Sequence, residues 1–266
     1  MIRFGQSGMT SQPEPLQKMS QLYSAHFQRP ERAALYDDEF APGTYSSLMW
    51  HIEQQQLQSV IADLRRIRPR ISTLDFAAGT GRITAFLEQH VDDLLAVELN
   101  PSMAEIARDK LTRTQVLCAN LLSTETALTE RYDLITAFRF LLNVEPTIRE
   151  HALRVLTSLL RDENSLLVFN NHGNPISYRG FKLPMYGLRY ALRGRPAFGN
   201  YLTGSAVERM IRNAGLEILR VMACGIYSPR LLKAVDYDRA VELETKAALR
   251  VPRFGVNQMY VCKKAA

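Results

Sequence analysis

Leu74 to Thr84 reads LDFAAGTGRIT, and Val97 to Asn100 reads VELN. Ile71 to Ala77 is a short apolar run ending in small residues, the pattern of a buried strand that enters a tight turn. The chain then passes through Ala77, Ala78, Gly79, Thr80 and Gly81 into a segment of helical spacing, Arg82 to His90. Small residues let the backbone lie against a ligand, and exposed N–H groups at a helix start favour negatively charged atoms. Glu98, 17 residues after Gly81, ends the next strand, where a carboxylate can accept hydrogen bonds from both hydroxyls of a ribose. The pair describes a site for a nucleoside-containing cofactor. A dinucleotide fingerprint needs a third glycine or an alanine for close helix packing, but here the branched Thr84 follows, which argues against NAD.

Outward from this stretch the chain alternates. A helix is expected over Ser46 to Arg68, closed by Pro69, because Leu48, Ile52, Leu57, Val60, Ile61 and Leu64 recur at helical spacing. Strands are expected at Leu94–Leu99, Thr114–Ala119, Tyr132–Phe138 and Ser165–Asn170, separated by helices at Pro101–Leu111 and Pro146–Leu160. That rhythm predicts a doubly wound α/β fold with a mostly parallel sheet covered on both faces and ligands at the carboxyl ends of its strands. Residues 173–202 interrupt the pattern with five glycines, three prolines, six aromatics and five basic residues, and no acid lies between Asn174 and Gly204. So long a connection of this composition is expected to cap the ligand face. A helix (Thr203–Ala214, stopped by Gly215), a strand (Leu216–Ala223), a helical segment (Leu231–Leu249) and an alternating strand (Val256–Cys262) complete the chain. The expected domains are an N-terminal arm, 1–44, and one domain, 45–263, with insertions at 173–202 and 227–255.

Composition agrees with a globular chain: of 266 residues, 46% are hydrophobic and 23% charged, which excludes a disordered or collagen-like protein. No apolar run approaches the ~18 residues of a membrane span and no signal-peptide pattern is visible, so a cytosolic protein is expected. Cys118, Cys224 and Cys262 lack metal-ligand spacing and fall in predicted strands, which predicts buried free thiols and no metal site. The net charge of +6 favours an acidic partner.

Asp75, Ala77, Gly79 and Gly81, an acid followed by small residues at alternate positions, resemble the first motif of class I S-adenosylmethionine-dependent methyltransferases. Glu98, the segment Tyr132-Asp133-Leu134-Ile135 and the helix–Gly215–strand ending extend the resemblance over most of 45–263. It implies a Rossmann-like sheet of seven strands with the last antiparallel, and S-adenosylmethionine as cofactor. By the same resemblance, Asp75, Ala77, Gly79 and Gly81 lie near the methionine part, Glu98 holds the ribose and Asn120 contacts adenine. Tyr45 and Trp50 precede the first strand in a segment that covers the cofactor in many relatives, although Trp50 suits core packing equally.

Methyl transfer from a sulfonium needs alignment and exclusion of water more than a nucleophilic triad. His172, just past the fifth strand in NNHGN, is the candidate general base; its alternative role is bonding to loop backbone. Arg139, after the fourth strand, is a candidate contact for the methionine carboxylate or an acidic acceptor, or else a surface arginine. His26, His51, His90 and His151 read as structural. The basic, aromatic cap suits a small acidic or sugar-containing acceptor methylated on O or N. A nucleic-acid substrate is the rival reading, opposed by Arg139-Phe140-Leu141-Leu142 standing where amino-methylating DNA enzymes carry an (Asp/Asn)-Pro-Pro-aromatic box. A cofactor-binding module without transferase activity is the third. The sequence leaves the oligomeric state open.

Overall fold

Thr44 caps a long helix: its hydroxyl accepts the N–H of Ser47, and the chain then runs helically as α1, Tyr45–Arg65. All six apolar residues that set its period are buried. The computed structural model describes residues 38–123, 126, 128–180 and 201–265. Most of the expected N-terminal arm, and most of the expected cap, lie outside the described residues.

Seven strands follow: β1 (Ser72–Phe76), β2 (Asp93–Glu98), β3 (Gln115–Cys118), β4 (Leu134–Ala137), β5 (Leu166–Asn171), β6 (Leu216–Cys224) and β7 (Asn257–Lys264). They form one sheet in the order β3-β2-β1-β4-β5-β7-β6. The pairs from β3 to β5 are parallel, and β7 runs antiparallel to both β5 and β6. Strand order reverses between β1 and β4, so their carboxyl ends diverge and leave a crevice there.

Helices α2 (Arg82–Leu87), α3 (Pro101–Lys110), α4 (Pro146–Leu159) and α5 (Gly204–Asn213) flank the sheet. One face packs Leu57, Ile61 and Leu64 of α1 with Ile83 and Leu87 of α2; the other packs Leu153 and Leu156 of α4 with Val207 and Ile211 of α5. The expected helical segment at Leu231–Leu249 consists of two helices, α6 (Pro229–Leu232) and α7 (Tyr237–Arg250), because the Asp236 side chain accepts the N–H of Arg239 and starts a new helix. Of the three thiols expected to be buried, Cys224 and Cys262 are, but Cys118 is exposed. It ends β3, an edge strand that pairs with β2 alone. Among the described residues no helix is long and apolar enough to cross a membrane, and no three His, Cys, Asp or Glu side chains gather to hold a metal ion.

Two buried carboxylates fix the edges of this frame. Asp133 accepts the Ser72 N–H at 2.9 Å and Arg161 Nε at 2.8 Å, which ties β1 to β4 at their amino ends. Glu88 accepts the N–H groups of Arg113 (2.6 Å) and Thr114 (2.8 Å) and the hydroxyls of Thr112 and Thr114. Burial pushes the Glu88 carboxyl up, but these donors outweigh it and hold its pKa at about 2. The depressed value gives stability that is present above the ordinary carboxylate range and is lost as pH falls towards 2. Glu88→Gln should therefore cost roughly 3 kcal/mol at pH 7 and much less at pH 3, measured by urea denaturation.

Candidate active site

The turn after β1 is tight because three of its residues have left-handed backbone: Ala77 (φ 56°), Gly79 (φ 59°) and Gly81 (φ 78°). A Cβ on Gly81 would stand 3.1 Å from Ala107 Cβ of α3, so glycine is needed there for helix packing as well as for conformation. A Cβ on Gly79 would meet nothing within 4 Å, since that side faces the open crevice. Ala77, where the resembling family has glycine, holds its conformation at a cost of roughly 1 kcal/mol. Ala77→Gly should recover about that amount in denaturant unfolding.

Glu98 faces this turn from the tip of β2. Its oxygens accept the N–H of Gly79 at 2.7 Å and of Asn100 at 2.8 Å, which fixes the carboxylate while leaving it further acceptor capacity. Burial raises its pKa, opposed by the backbone donors of Asn100, Gly79 and Leu99. Asn100 also caps α3, accepting from Ser102 N at 2.9 Å, so one short segment places both the carboxylate and a helix start at the crevice.

The crevice has two lobes that share Ala77, Glu98, Leu99 and Phe140. The first, about 780 Å³ including its mouth, sets Asp75, Arg82, Arg139 and Asn143 among apolar residues such as Ile83, Met103 and Phe138. The second, about 710 Å³, is mainly apolar, lined by Val97, Leu121, Val144 and Ile148 together with Asn120 and His151. Asp75, fully buried, accepts the hydroxyls of Thr84 (2.6 Å) and Thr136 (2.7 Å). Thr84, which takes the place of a dinucleotide fingerprint's small residue, thus has a use of its own. A ligand that is apolar and flat at one end, charged at the other and hydroxylated between them matches this layout, with Glu98 at the junction.

The comparisons with known proteins accord with that geometry. Residues 49–221 match the model of the family described as "Methyltransferase domain". This chain belongs to that family. The methyltransferase domain is 32% identical over 114 residues to an uncharacterized methyltransferase of Alkaliphilus oremlandii, a match covering 42% of this chain. The chain spans about half, 50%, of the length of that relative. Among solved structures it is similar to magnesium protoporphyrin IX methyltransferase from Synechocystis PCC 6803 with bound S-adenosylhomocysteine (TM-score 0.57, 15% identity, 94% of this chain and 99% of the other). A S-adenosylmethionine-dependent methyltransferase from Clostridium acetobutylicum is comparably similar (TM-score 0.56, 15% identity, 89% and 98%). These likenesses are of fold, and the fold is that of class I methyltransferases, whose cofactor is S-adenosylmethionine.

The residues singled out by sequence are distributed unevenly over the methyltransferase domain. Asp75, Ala77, Gly79 and Glu98 line the first lobe, Gly81 sits behind it at the start of α2, and Asn120 lines the second lobe. The Asn120 side-chain oxygen Oδ1 accepts the Leu122 N–H at 3.1 Å, so its side-chain NH₂ is the group left to donate towards a base. Tyr45 lies elsewhere. It lines a third pocket, of about 350 Å³, with its hydroxyl donated to the Tyr227 carbonyl at 2.9 Å. Trp50 packs edge-on to Phe86 and against the Arg82 guanidinium, which is 4.3 Å from its ring centroid.

His172 lines the third pocket too. Burial, then the neighbouring Arg139 and Arg179 guanidinium groups, push its pKa down to about 3 instead of the near-neutral value expected from sequence. The imidazole is therefore neutral at pH 7 and a weak proton acceptor. Arg139 lines both the first lobe and the third pocket, so it stands between them. Its backbone is left-handed (φ 55°), held by its N–H to Asn170 Oδ1 at 2.6 Å and by its carbonyl accepting from Asn143 Nδ2. Such strain at a pocket wall is held by surrounding structure. The guanidinium groups of Arg82 and Arg139 lie 3.9 and 5.0 Å from the Phe40 ring centroid.

His151 is the residue that sequence reading missed. Its neighbours Arg149, Glu150 and Arg154 are charged, yet it lines the apolar lobe and bonds through Nε2 to the Leu122 carbonyl at 3.0 Å. Its spacing of three from Ile148, another lining residue, is the signal that was available.

Proposed function

We propose that this chain is an S-adenosylmethionine-dependent methyltransferase acting on an O or N atom of a small, acidic or sugar-containing molecule. The observation that carries this reading is Glu98, fixed where the two lobes meet, one of them lined by charged side chains, and facing the bend at Gly79. The residues fit the cofactor: Glu98 for the ribose, the second lobe with Asn120 and His151 for adenine, and the first lobe with Asp75 for the methionine part. When bound, S-adenosylmethionine supplies a methyl group on a positively charged sulfur, and the group leaves without needing an acid.

What the chain must add is alignment and exclusion of water. The rigid turn, Glu98 held by two backbone N–H groups and Asp75 held by two hydroxyls set the direction of approach. Arg139 lines both the first lobe and the third pocket, and that pocket, lined also by Tyr45 and His172, is the space we assign to an acceptor. The small size and cationic lining of that pocket support a small acidic acceptor over a nucleic acid, which would need an extended basic surface.

The test is to supply methyl-labelled cofactor to the full chain in a cell extract and analyse products by mass spectrometry. Label in a small anionic or glycosylated compound is expected. Label confined to RNA or DNA would favour the nucleic-acid reading, and tight cofactor binding with no labelled product would favour a binding module.

A further inference from the structure

We propose that the pocket behind Arg139 holds a carboxylate of the acceptor between Arg139 and His172, and that His172 is a positioning group for that carboxylate instead of the base. This rests on the reading above and deepens it by naming the acceptor class. Two buried donors point to it: among the described residues, Arg139 Nε and His172 Nδ1 have no hydrogen-bond partner. Both side chains line the same 350 Å³ pocket, with Arg179 and Asn257 beside them and no acidic residue in the lining. A buried donor without a partner costs roughly 1–3 kcal/mol, so two in one polar pocket mark the place of an acceptor group.

A buried acid, Glu53, is held through one oxygen by two asparagines, and its Oε2 has no hydrogen-bond partner. Glu53 Oε1 accepts Asn170 Nδ2 at 3.2 Å and Asn257 Nδ2 at 3.3 Å. Asn170 in turn accepts the Arg139 N–H, so the residue that bonds Glu53 also fixes the backbone of Arg139. The two buried nitrogens match the two oxygens of a carboxylate, and a phosphate, which Arg179 could also reach, is the alternative that the test below separates. The edge of a guanidinium also pairs with a planar carboxylate. His172 suits this role because it stays neutral beside Arg139 and Arg179, and can donate an N–H without adding charge.

The test uses the full chain labelled with ¹⁵N-histidine and saturated with S-adenosylhomocysteine, observed by imidazole NMR with His172 assigned through His172→Gln. Sodium benzoate should move the His172 signals saturably to the Nδ1–H form and leave His151 still. Benzamide and inorganic phosphate should bind about tenfold more weakly or worse, and Arg139→Lys, which keeps the charge but loses the fork, should weaken benzoate about tenfold. Unmoved His172 signals, or benzamide or phosphate binding as well as benzoate, would overturn the proposal. Calorimetry of S-adenosylhomocysteine on the same sample separates the two readings: its failure to bind would count against the proposed function, while the benzoate response still decides the carboxylate site.

Discussion

Replacing Glu98 with alanine should weaken S-adenosylhomocysteine binding by about a hundredfold. Two hydroxyls donating to a carboxylate are worth roughly 1.5–3 kcal/mol each at most, and a loss of about 3 kcal/mol corresponds to that factor. Glu98→Gln keeps one carbonyl acceptor and the shape, so its loss should be nearer tenfold. Alanine would also leave the N–H groups of Gly79 and Asn100 without the partner they now have at 2.7 and 2.8 Å. Some loss of fold stability is expected from that, of order 1–2 kcal/mol. Titration at low temperature, with the melting transition recorded for each variant, separates lost affinity from lost fold. An unchanged affinity in folded Glu98→Ala would remove the ribose assignment.

Asp75→Asn should move stability and binding in opposite directions. Asp75 is buried beneath the turn, and burial pushes its pKa to about 6, against the pull of the Thr84 and Thr136 hydroxyls and of Arg82; Glu98 adds to the rise. The folded chain therefore holds a proton there that the unfolded chain has already released, and the contribution of Asp75 to stability falls as pH rises from about 4 to about 6. A neutral amide of the same shape escapes this cost. At pH 7.5 the variant should be more stable than the parent by as much as about 3 kcal/mol, and near pH 4 the difference should vanish. Urea denaturation of both chains at the two pH values isolates Asp75 from other carboxylates such as Glu88, which act in the opposite sense. Cofactor affinity should fall about tenfold in the same variant, an instance of a functional group kept at a cost in stability. A variant less stable than the parent at pH 7.5, or a difference independent of pH, would contradict the placement of a charged Asp75 under the cofactor site.

The parts of this molecule that were legible in its sequence are those set by neighbouring residues along the chain. The bend at Ala77 to Gly81 and the carboxylate at Glu98 follow from small residues and strand ends, and parallel pairing of β1 with β2 brings them together in register. The helix α1 and the alternation of strands and helices follow from apolar period. What escaped depends on which elements meet in space. Tyr45 was expected at the cofactor, but α1 runs against β6 and the segment beyond it, so its hydroxyl reaches Tyr227 and its ring faces the third pocket. The depressed pKa of His172 needs the meeting of the loops after β4 and β5, which no local pattern announces. Cys118 reads like a core residue until β3 is known to be the edge strand. His151 illustrates the converse, a side chain among charged neighbours that the helix register turns towards the apolar lobe.

The central claim is that Glu98 and the glycine bend hold the adenosine of S-adenosylmethionine. A crystal structure of the full chain grown with S-adenosylhomocysteine tests it most directly. It should show both ribose hydroxyls bonded to Glu98, adenine between Leu99 and Ile148 with Asn120 in reach, and the homocysteine end over Gly79. A ligand seated in another cavity, or a ribose out of hydrogen-bond reach of Glu98, would contradict the account.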